Sequence, residues 1–319
     1  MGSLEPEVMI EYLVNGSGIL LRRDAIRAGA DDNALKRAVD SSFLVRMRQG
    51  VYVLAAVWES SDALERHRLL LEGVRMLYGD DVAASHISAC VEQGGPTWGL
   101  DLSRVHLTHL WGKGERSVGK VVHHRGACIV GDVTRDGHGW ITSPARSALD
   151  TACLVSQESG VAVVDWYLQT GLATLYDLLQ THARMVDWPG SLGLHRVLAL
   201  VDGKAESVGE TRVRLMCRAH GLPAPTPQFE VRHPSGRLAG RVDFAWPELG
   251  LLLEFDGMVK YHRYRRAGET IEQMVIREKQ REDLLRELTG WTVIRITWAD
   301  LAHPEATVAR ILRAMKLAA

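Results

Sequence analysis

A chain of 319 residues is long for a single hydrophobic core and points to two or three domains. Its 46% apolar and 24% charged residues are ordinary for a soluble globular protein, and no low-complexity tract or internal repeat interrupts it. The net charge of −1 excludes a globally basic nucleic-acid binder, so any polyanion-binding surface must be local and balanced by acidic groups elsewhere.

Four cysteines, Cys90, Cys128, Cys153 and Cys217, are scattered without C-x-x-C spacing. They supply neither a zinc-ligand set nor a disulfide framework, and the chain reads as a reduced, cytoplasmic protein. There is no signal peptide and no apolar run long enough to cross a bilayer, so no membrane partner is expected.

The first segment, residues 1–57, reads as three short helices followed by a hairpin. Residues 6–14 form the first helix, and residues 21–29 the second, stopped by Gly29. Asp31 or Asp32 caps a third, Asn33 to Asp40, with Leu35, Ala38 and Val39 facing inward. Residues 43–48 and 51–54 alternate at strand period around Gln49-Gly50. Helix, helix, helix, two-stranded wing is the order of a winged helix-turn-helix. Lys36 and Arg37 lie on the solvent face of the third helix, Arg46 and Arg48 on the wing, and Arg22 and Arg23 open the second helix. All six are candidate DNA contacts, the last pair at a helix start that favours phosphate. The competing reading is a small helical cap or dimerisation module with ordinary solvated charges.

Residues 58–201 form a mixed α/β middle region. Leu64 to Tyr78 is an amphipathic helix, residues 105–108 and 120–124 read as strands, and a strand ending at Pro144 leads into a helix reaching Asp150. His106, His109, His123 and His124 alternate in strand contexts without a clear carboxylate partner. They read as satisfied core or surface residues rather than as a metal site.

Asp202-Gly203-Lys204-Ala205 marks the boundary of a last domain, 202–319. A helix over 207–219, strands over 228–232, 240–246 and 251–255, a long helix over 269–288, a strand over 291–297 and a helix over 304–316 follow. This αβββαβα order implies a mixed sheet flanked by helices, so the whole chain is assigned to a multidomain α+β class. Tight turns at Pro234-Ser235-Gly236 and Pro247 to Gly250 pair the first three strands. Asp243 then sits on one strand, with Glu254 and Asp256 on one face of the next. Three carboxylates amid Val, Phe, Leu and Trp need a cation, and Mg²⁺ or Mn²⁺ prefers such oxygens. Asp243, Glu254 and the backbone carbonyl of Phe255 are the candidate metal ligands. Glu210 from the preceding helix is an outer acid, and Asp256, Lys260 and Lys279 complete the candidate catalytic set. Phosphodiester hydrolysis asks for this combination of activated water and neutralised phosphate. His262, Arg263, Arg265 and Arg266 form an adjacent basic cluster suited to a phosphate backbone. The competing structural reading pairs Asp243 with Arg241 or Arg281 and uses Glu254 and Asp256 to cap a turn at Gly257.

The last domain resembles the PD-(D/E)XK (restriction-endonuclease-like) nuclease superfamily, in its very-short-patch-repair-like branch with the DUF559 domain. The resemblance runs from Glu206 to Leu301 and rests on Glu210, Gly221-Leu222-Pro223, Gln228, Val242-Asp243-Phe244, Glu254-Phe255-Asp256-Gly257, Lys260-Tyr261, Glu278 to Asp283 and Gly290 to Trp298. It implies metal-ligand positions at Asp243 and Glu254 and the first acidic position at Glu210. One departure is plain: Asp256 stands where the family's E-x-K element has its lysine, leaving Lys260 or Lys279 to substitute or the site to bind without cutting. Residues 21–24 and 45–54 are similar to the winged helix of the AbiEi family of type IV antitoxins, and residues 85–89 and 142–150 to the rest of that family. That resemblance implies an operator-binding repressor and a cognate toxin encoded nearby. Two functions follow: a Mg²⁺-dependent DNA endonuclease in defence or repair, or a non-enzymatic autorepressor with a degenerate nuclease fold.

Overall fold

The computed structural model describes residues 6–111, 116–125, 128–129, 131–185, 187–257 and 269–318. The chain is a mixed α/β protein, with three sheets among the described residues, grouped in two compact units. The first unit comprises Met1–Val163 and Leu172–Arg196, the second Val164–Gly171 and Val197–Ala319. The segments 1–57 and most of 58–201 thus fall in one unit, while Val164–Gly171 groups with the C-terminal residues. Among the described residues no helix is long and apolar enough to cross a membrane.

The first unit opens with α1 (Pro6–Leu13), β1 (Ile19–Leu21), α2 (Arg22–Arg27), α3 (Asp32–Asp40), β2 (Leu44–Arg48) and β3 (Val51–Leu54). The Asp31 carboxylate accepts from the Ala34 N–H at 2.7 Å and starts α3. Gly50, at φ +81°, turns β2 into β3, a conformation that a Cβ would strain. The three strands form one antiparallel sheet in the order β1-β3-β2. Ile10, Leu20, Ala25, Leu35, Ala38, Leu44 and Tyr52 make a small core beneath the helices.

The chain continues through α4 (Ala55–Ser60), α5 (Ala63–Tyr78), β4 (Val82–Ala84), α6 (His86–Glu92), β5 (Val105–His109), β6 (Arg116–Val118), β7 (Val121–His124), β8 (Val133–Arg135), β9 (Trp140–Thr142), α7 (Pro144–Ala152), α8 (Gln157–Gln169), α9 (Leu175–Arg184) and α10 (Leu194–Leu198). Asp62 and Glu65 form a capping box at the start of α5. Leu70, Leu71 and Val74 of α5 join Ile19, Met47, Val51 and Val53 to Val82, Val105, Leu107, Val121 and Ile141 in one apolar core. Gly73 permits this closeness, because a Cβ there would overlap Val51. The second sheet runs β6-β7-β5-β4-β9-β8, with β5/β7 and β4/β9 parallel and the other pairs antiparallel.

The second unit contains α11 (Val208–Ala219), β10 (Thr226–Arg232), β11 (Leu238–Trp246), β12 (Leu251–Asp256), α12 (Ile271–Thr289), β13 (Thr292–Thr297), α13 (Trp298–Leu301) and α14 (Pro304–Ala318). Its sheet has the order β10-β11-β12-β13, antiparallel except for the β12/β13 pair. A parallel pair needs a long crossover, and α12 lies within it. Phe244, Trp246, Leu251, Leu253 and Phe255 pack with Val213, Met216, Val308 and Ile311 of α11 and α14. Val242, Ala245 and Leu252 pack with Leu285 of α12. Asp165, on the short upstream piece of this unit, is 1% exposed. It accepts from Thr211 Oγ1 at 2.8 Å, Arg214 Nη2 at 2.7 Å and the Asp202 N–H at 2.6 Å.

Candidate functional site

The six N-terminal cations divide into two sets. Arg22 Nη2 lies 2.6 Å from Asp32, Arg23 Nη2 donates to the Met76 carbonyl at 2.7 Å, and Lys36 pairs with Asp40. Arg48 is half-buried, its guanidinium 5.6 Å from the centre of the Tyr78 ring, with Nε and Nη1 buried and without hydrogen bonds. Arg37 on α3 and Arg46 on β2 are exposed, and no acidic partner meets them among the described residues. Sequence spacing gave the elements for all six but not which would be neutralised by a neighbour.

The candidate acidic residues of the second unit lie on α11 (Glu210), β11 (Asp243) and β12 (Glu254 and Asp256). The β11/β12 ladder runs from Trp246↔Leu251 to Phe244↔Leu253, and one further step sets Asp243 opposite Glu254. There the Asp243 side chain takes over, accepting the Phe255 N–H on Oδ2 at 2.7 Å. The β10/β11 ladder likewise skips Gln228, which lies opposite Asp243 and has φ +52°. Its amide turns to Glu210, donating to Oε2 at 2.8 Å. Glu210 is 3% exposed and also accepts from Ser207 Oγ at 2.7 Å and from the Glu206 N–H at 2.9 Å. Gln228 thereby links the first acidic position to the Asp243 strand.

Glu254 is buried and lies across the parallel ladder from Arg295. Its carboxylate is held by Arg281 Nη2 from α12 and lies 3.6 Å from Arg295 Nε. Arg281 also donates to Glu278 at 2.6 Å and to the Arg241 carbonyl at 3.3 Å. Arg295 reaches Glu278 at 3.2 Å and Glu282 at 2.9 Å. Burial raises the Glu254 carboxyl above its ordinary range, against the pull of Arg281. Glu278 is less buried; its own burial also pushes upward, but the Arg281 hydrogen bond and the surrounding arginines win and lower it. Of the two arginines considered from sequence as partners for Asp243, Arg281 is engaged by Glu278 and Glu254, and Arg241 by Glu206.

The oxygen donors at Asp243, Glu254 and the Phe255 carbonyl have the right chemistry for Mg²⁺ or Mn²⁺. Their arrangement does not fit one: Glu254 already carries a guanidinium and Asp243 an N–H. Among the described residues no three His, Cys, Asp or Glu side chains converge as a cation cage. Asp256 ends β12 half-exposed, and Lys279 is exposed on α12. Lys260, His262, Arg263, Arg265 and Arg266 lie outside the described residues.

A polar cluster in the first unit holds the four histidines read from sequence as satisfied residues, together with His86, Tyr78, Arg146, Asp132 and Asp150, which that reading did not single out. His106 Nδ1 and His124 Nε2 are 2.8 Å apart, and the His86 ring stacks on His124 with centroids at 3.6 Å. His109 Nε2 meets His123 Nδ1 at 2.9 Å, and Tyr78 Oη lies 3.3 Å from His123. Burial, reinforced by neighbouring imidazoles, pushes His106 down to about 3 and His123 and His124 to about 4, and His86 falls well below its usual value. Beside them Arg146, 2% exposed, donates to both Asp150 oxygens at 2.9 Å and to Asp132 at 3.3 Å. Its guanidinium stacks 3.5 Å from the Trp188 ring centre. Burial drives Asp150 up to about 6, although Arg146 pulls the other way. The signal was present in the histidine spacing. The pairing depends on the β5/β7 register, which spacing along the chain does not give.

No protein-family model matches the chain. Over 279 residues it is 29% identical to uncharacterized proteins of Mycobacterium tuberculosis strains CDC 1551 / Oshkosh and ATCC 25618 / H37Rv. Each likeness covers 86% of this chain and 93% of the relative.

Proposed function

We propose that the chain is a DNA-binding protein whose residues 1–57 act as a winged helix-turn-helix and whose C-terminal unit is a PD-(D/E)XK-type fold. The observation that carries the reading is the α1-β1-α2-α3-β2-β3 order, with Arg37 on the third helix and Arg46 on the adjoining strand both exposed. A helix of this size fits the major groove, and flanking cations fix it to phosphates. The likeness of residues 21–24 and 45–54 to AbiEi-family antitoxins supports an operator-binding role in the cytoplasm, with a neighbouring toxin as a second partner. Fluorescence anisotropy against the upstream DNA of its own gene, at several salt concentrations, tests it. Removing both cations with Arg37→Ala and Arg46→Ala should reduce the salt slope by about 2, since each phosphate contact contributes roughly 0.9. An unchanged slope and affinity would reject the winged helix as reader.

A second reading, metal-dependent endonuclease activity in defence or repair, is favoured by the register that brings Asp243 to Glu254 and by the Gln228 link to Glu210. Plasmid nicking in Mg²⁺ or Mn²⁺, lost in Asp243→Ala, would support it. Retained DNA binding without nicking would leave the C-terminal unit a non-cleaving fold.

A further inference from the structure

The chain carries, within the acidic site, the cation that the buried Glu254 requires. Glu254 sits in an apolar strand, where an unpaired carboxylate is costly. Two arginines answer it from different elements: Arg295 directly across the parallel ladder, and Arg281 from α12. Arg281 is itself held in place. Glu278 accepts from it one turn earlier on the same helix, and the Arg241 carbonyl accepts from Nη1. At Gly240 a Cβ would press on Leu285 Cδ2 at 3.1 Å and would meet Arg281 Nη1 only at an ordinary contact distance of 3.8 Å. Arg281 is nevertheless 29% exposed at its side chain, so a rotamer change can release it into solvent without unfolding the helix.

A divalent cation and a guanidinium on the same carboxylate repel each other, and in a partly desolvated site that repulsion is poorly screened. Occupancy by one therefore excludes the other. We propose that Arg281 is a built-in counter-cation that keeps Glu254 closed to divalent metal, so that the acidic site takes up Mg²⁺ or Mn²⁺ only after Arg281 is displaced. This rests on the reading of Asp243 and Glu254 as a nuclease-type acidic pair, and it makes Arg281 the residue that sets metal affinity there. Asp256 stands where the resembled motif has lysine and brings no cation, so Arg281, hydrogen-bonded to Glu254, is the nearer of its two arginines, with Arg295 Nε at 3.6 Å.

The test is Mn²⁺ binding by the full-length chain, read from loss of the free-ion electron paramagnetic resonance signal. Wild type, Glu254→Gln, Arg281→Gln and the double variant are compared. Arg281→Gln should gain a site at least tenfold tighter than any in wild type, and the double variant should lose it. A Glu254-dependent site in wild type as tight as that in Arg281→Gln overturns the proposal, as does no gain in Arg281→Gln. If the glutamine variant does not fold, Arg281→Lys keeps the charge but loses the forked contact; a several-fold gain is expected, and no gain overturns the proposal. Plasmid nicking is scored separately on the same proteins. A gained site without nicking upholds the counter-cation and rejects hydrolysis, whereas nicking without a gain does the reverse.

Discussion

Replacing Gly209 by alanine measures how closely α11 is pressed onto the strand that carries Glu254. A Cβ built at Gly209 would overlap Cδ1, Cε1 and Cζ of Phe255. Carbon atoms in contact sit roughly 3.5–4.0 Å apart, so the ring must retreat by an ångström or more. Phe255 is 2% exposed and packed among Val213, Leu253 and Ile296, so it has nowhere open to go. Overpacking of this kind costs about 3 kcal/mol at the upper end of its usual range. Alanine recovers at most about 1 kcal/mol of helix propensity over glycine. The net loss is about 2 kcal/mol, which lowers the melting temperature of a unit of this size by about 8 °C. Scanning calorimetry of the full chain reads it directly. Because the cost comes from one ring, Phe255→Leu should relieve it, and the double variant should lose at least about 1 kcal/mol less than the two single losses combined. A Gly209→Ala protein that melts at or above wild type refutes the reasoning. So does an alanine cost unchanged in the leucine background.

Acid should destabilise the first unit through its histidines. His106, His123 and His124 have folded-state values of about 3 to 4, below an unfolded value near 6.5, so the unfolded chain binds more protons between those limits. Stability is therefore complete above about pH 6.5 and falls as pH drops toward 4, by up to about 1.4 kcal/mol per pH unit for each such group. Asp150, raised to about 6, works in the opposite direction as a single group against several. Urea midpoints measured from pH 7 to 4.5 should fall, and a flat profile would contradict the buried pairing. Arg146→Met should be severely destabilising, because it takes the partner arginine from the buried Asp150 and leaves Asp132 to Arg184; removing one partner of a buried pair costs about 3–5 kcal/mol. A urea midpoint near that of wild type would show that those carboxylates reach water.

The long periodic segments were legible because their burial imposes a period. Residues 251–255 alternate between two apolar faces and 207–219 carry a helical stripe, and both form as expected. β1 and β8 were not legible, since three residues hold no period and exist as strands only through their neighbours. The acidic site shows the same division. Asp243 beside Glu254 follows from a short turn and antiparallel register, which are local properties. The choice of Arg281 for Glu254 depends on where α12 lies over the sheet, and no spacing between residues 254 and 281 encodes that. Gln228 was noticed only through resemblance; its reversed backbone and its bond to Glu210 have no mark in composition. Lys36 and Arg37 look alike in sequence, yet Asp40 claims one of them because it sits four residues on along α3.

Asp165 bears on how this chain can be cut and recombined. The buried carboxylate that receives Thr211, Arg214 and the Asp202 amide comes from Val164–Gly171, well before the residues it serves. A fragment beginning at residue 202 would leave the Arg214 guanidinium without its counter-charge and the Thr211 hydroxyl without an acceptor. The C-terminal unit is thus no contiguous cassette: exchange between related genes, or transplantation by design, has to carry the upstream stretch with it.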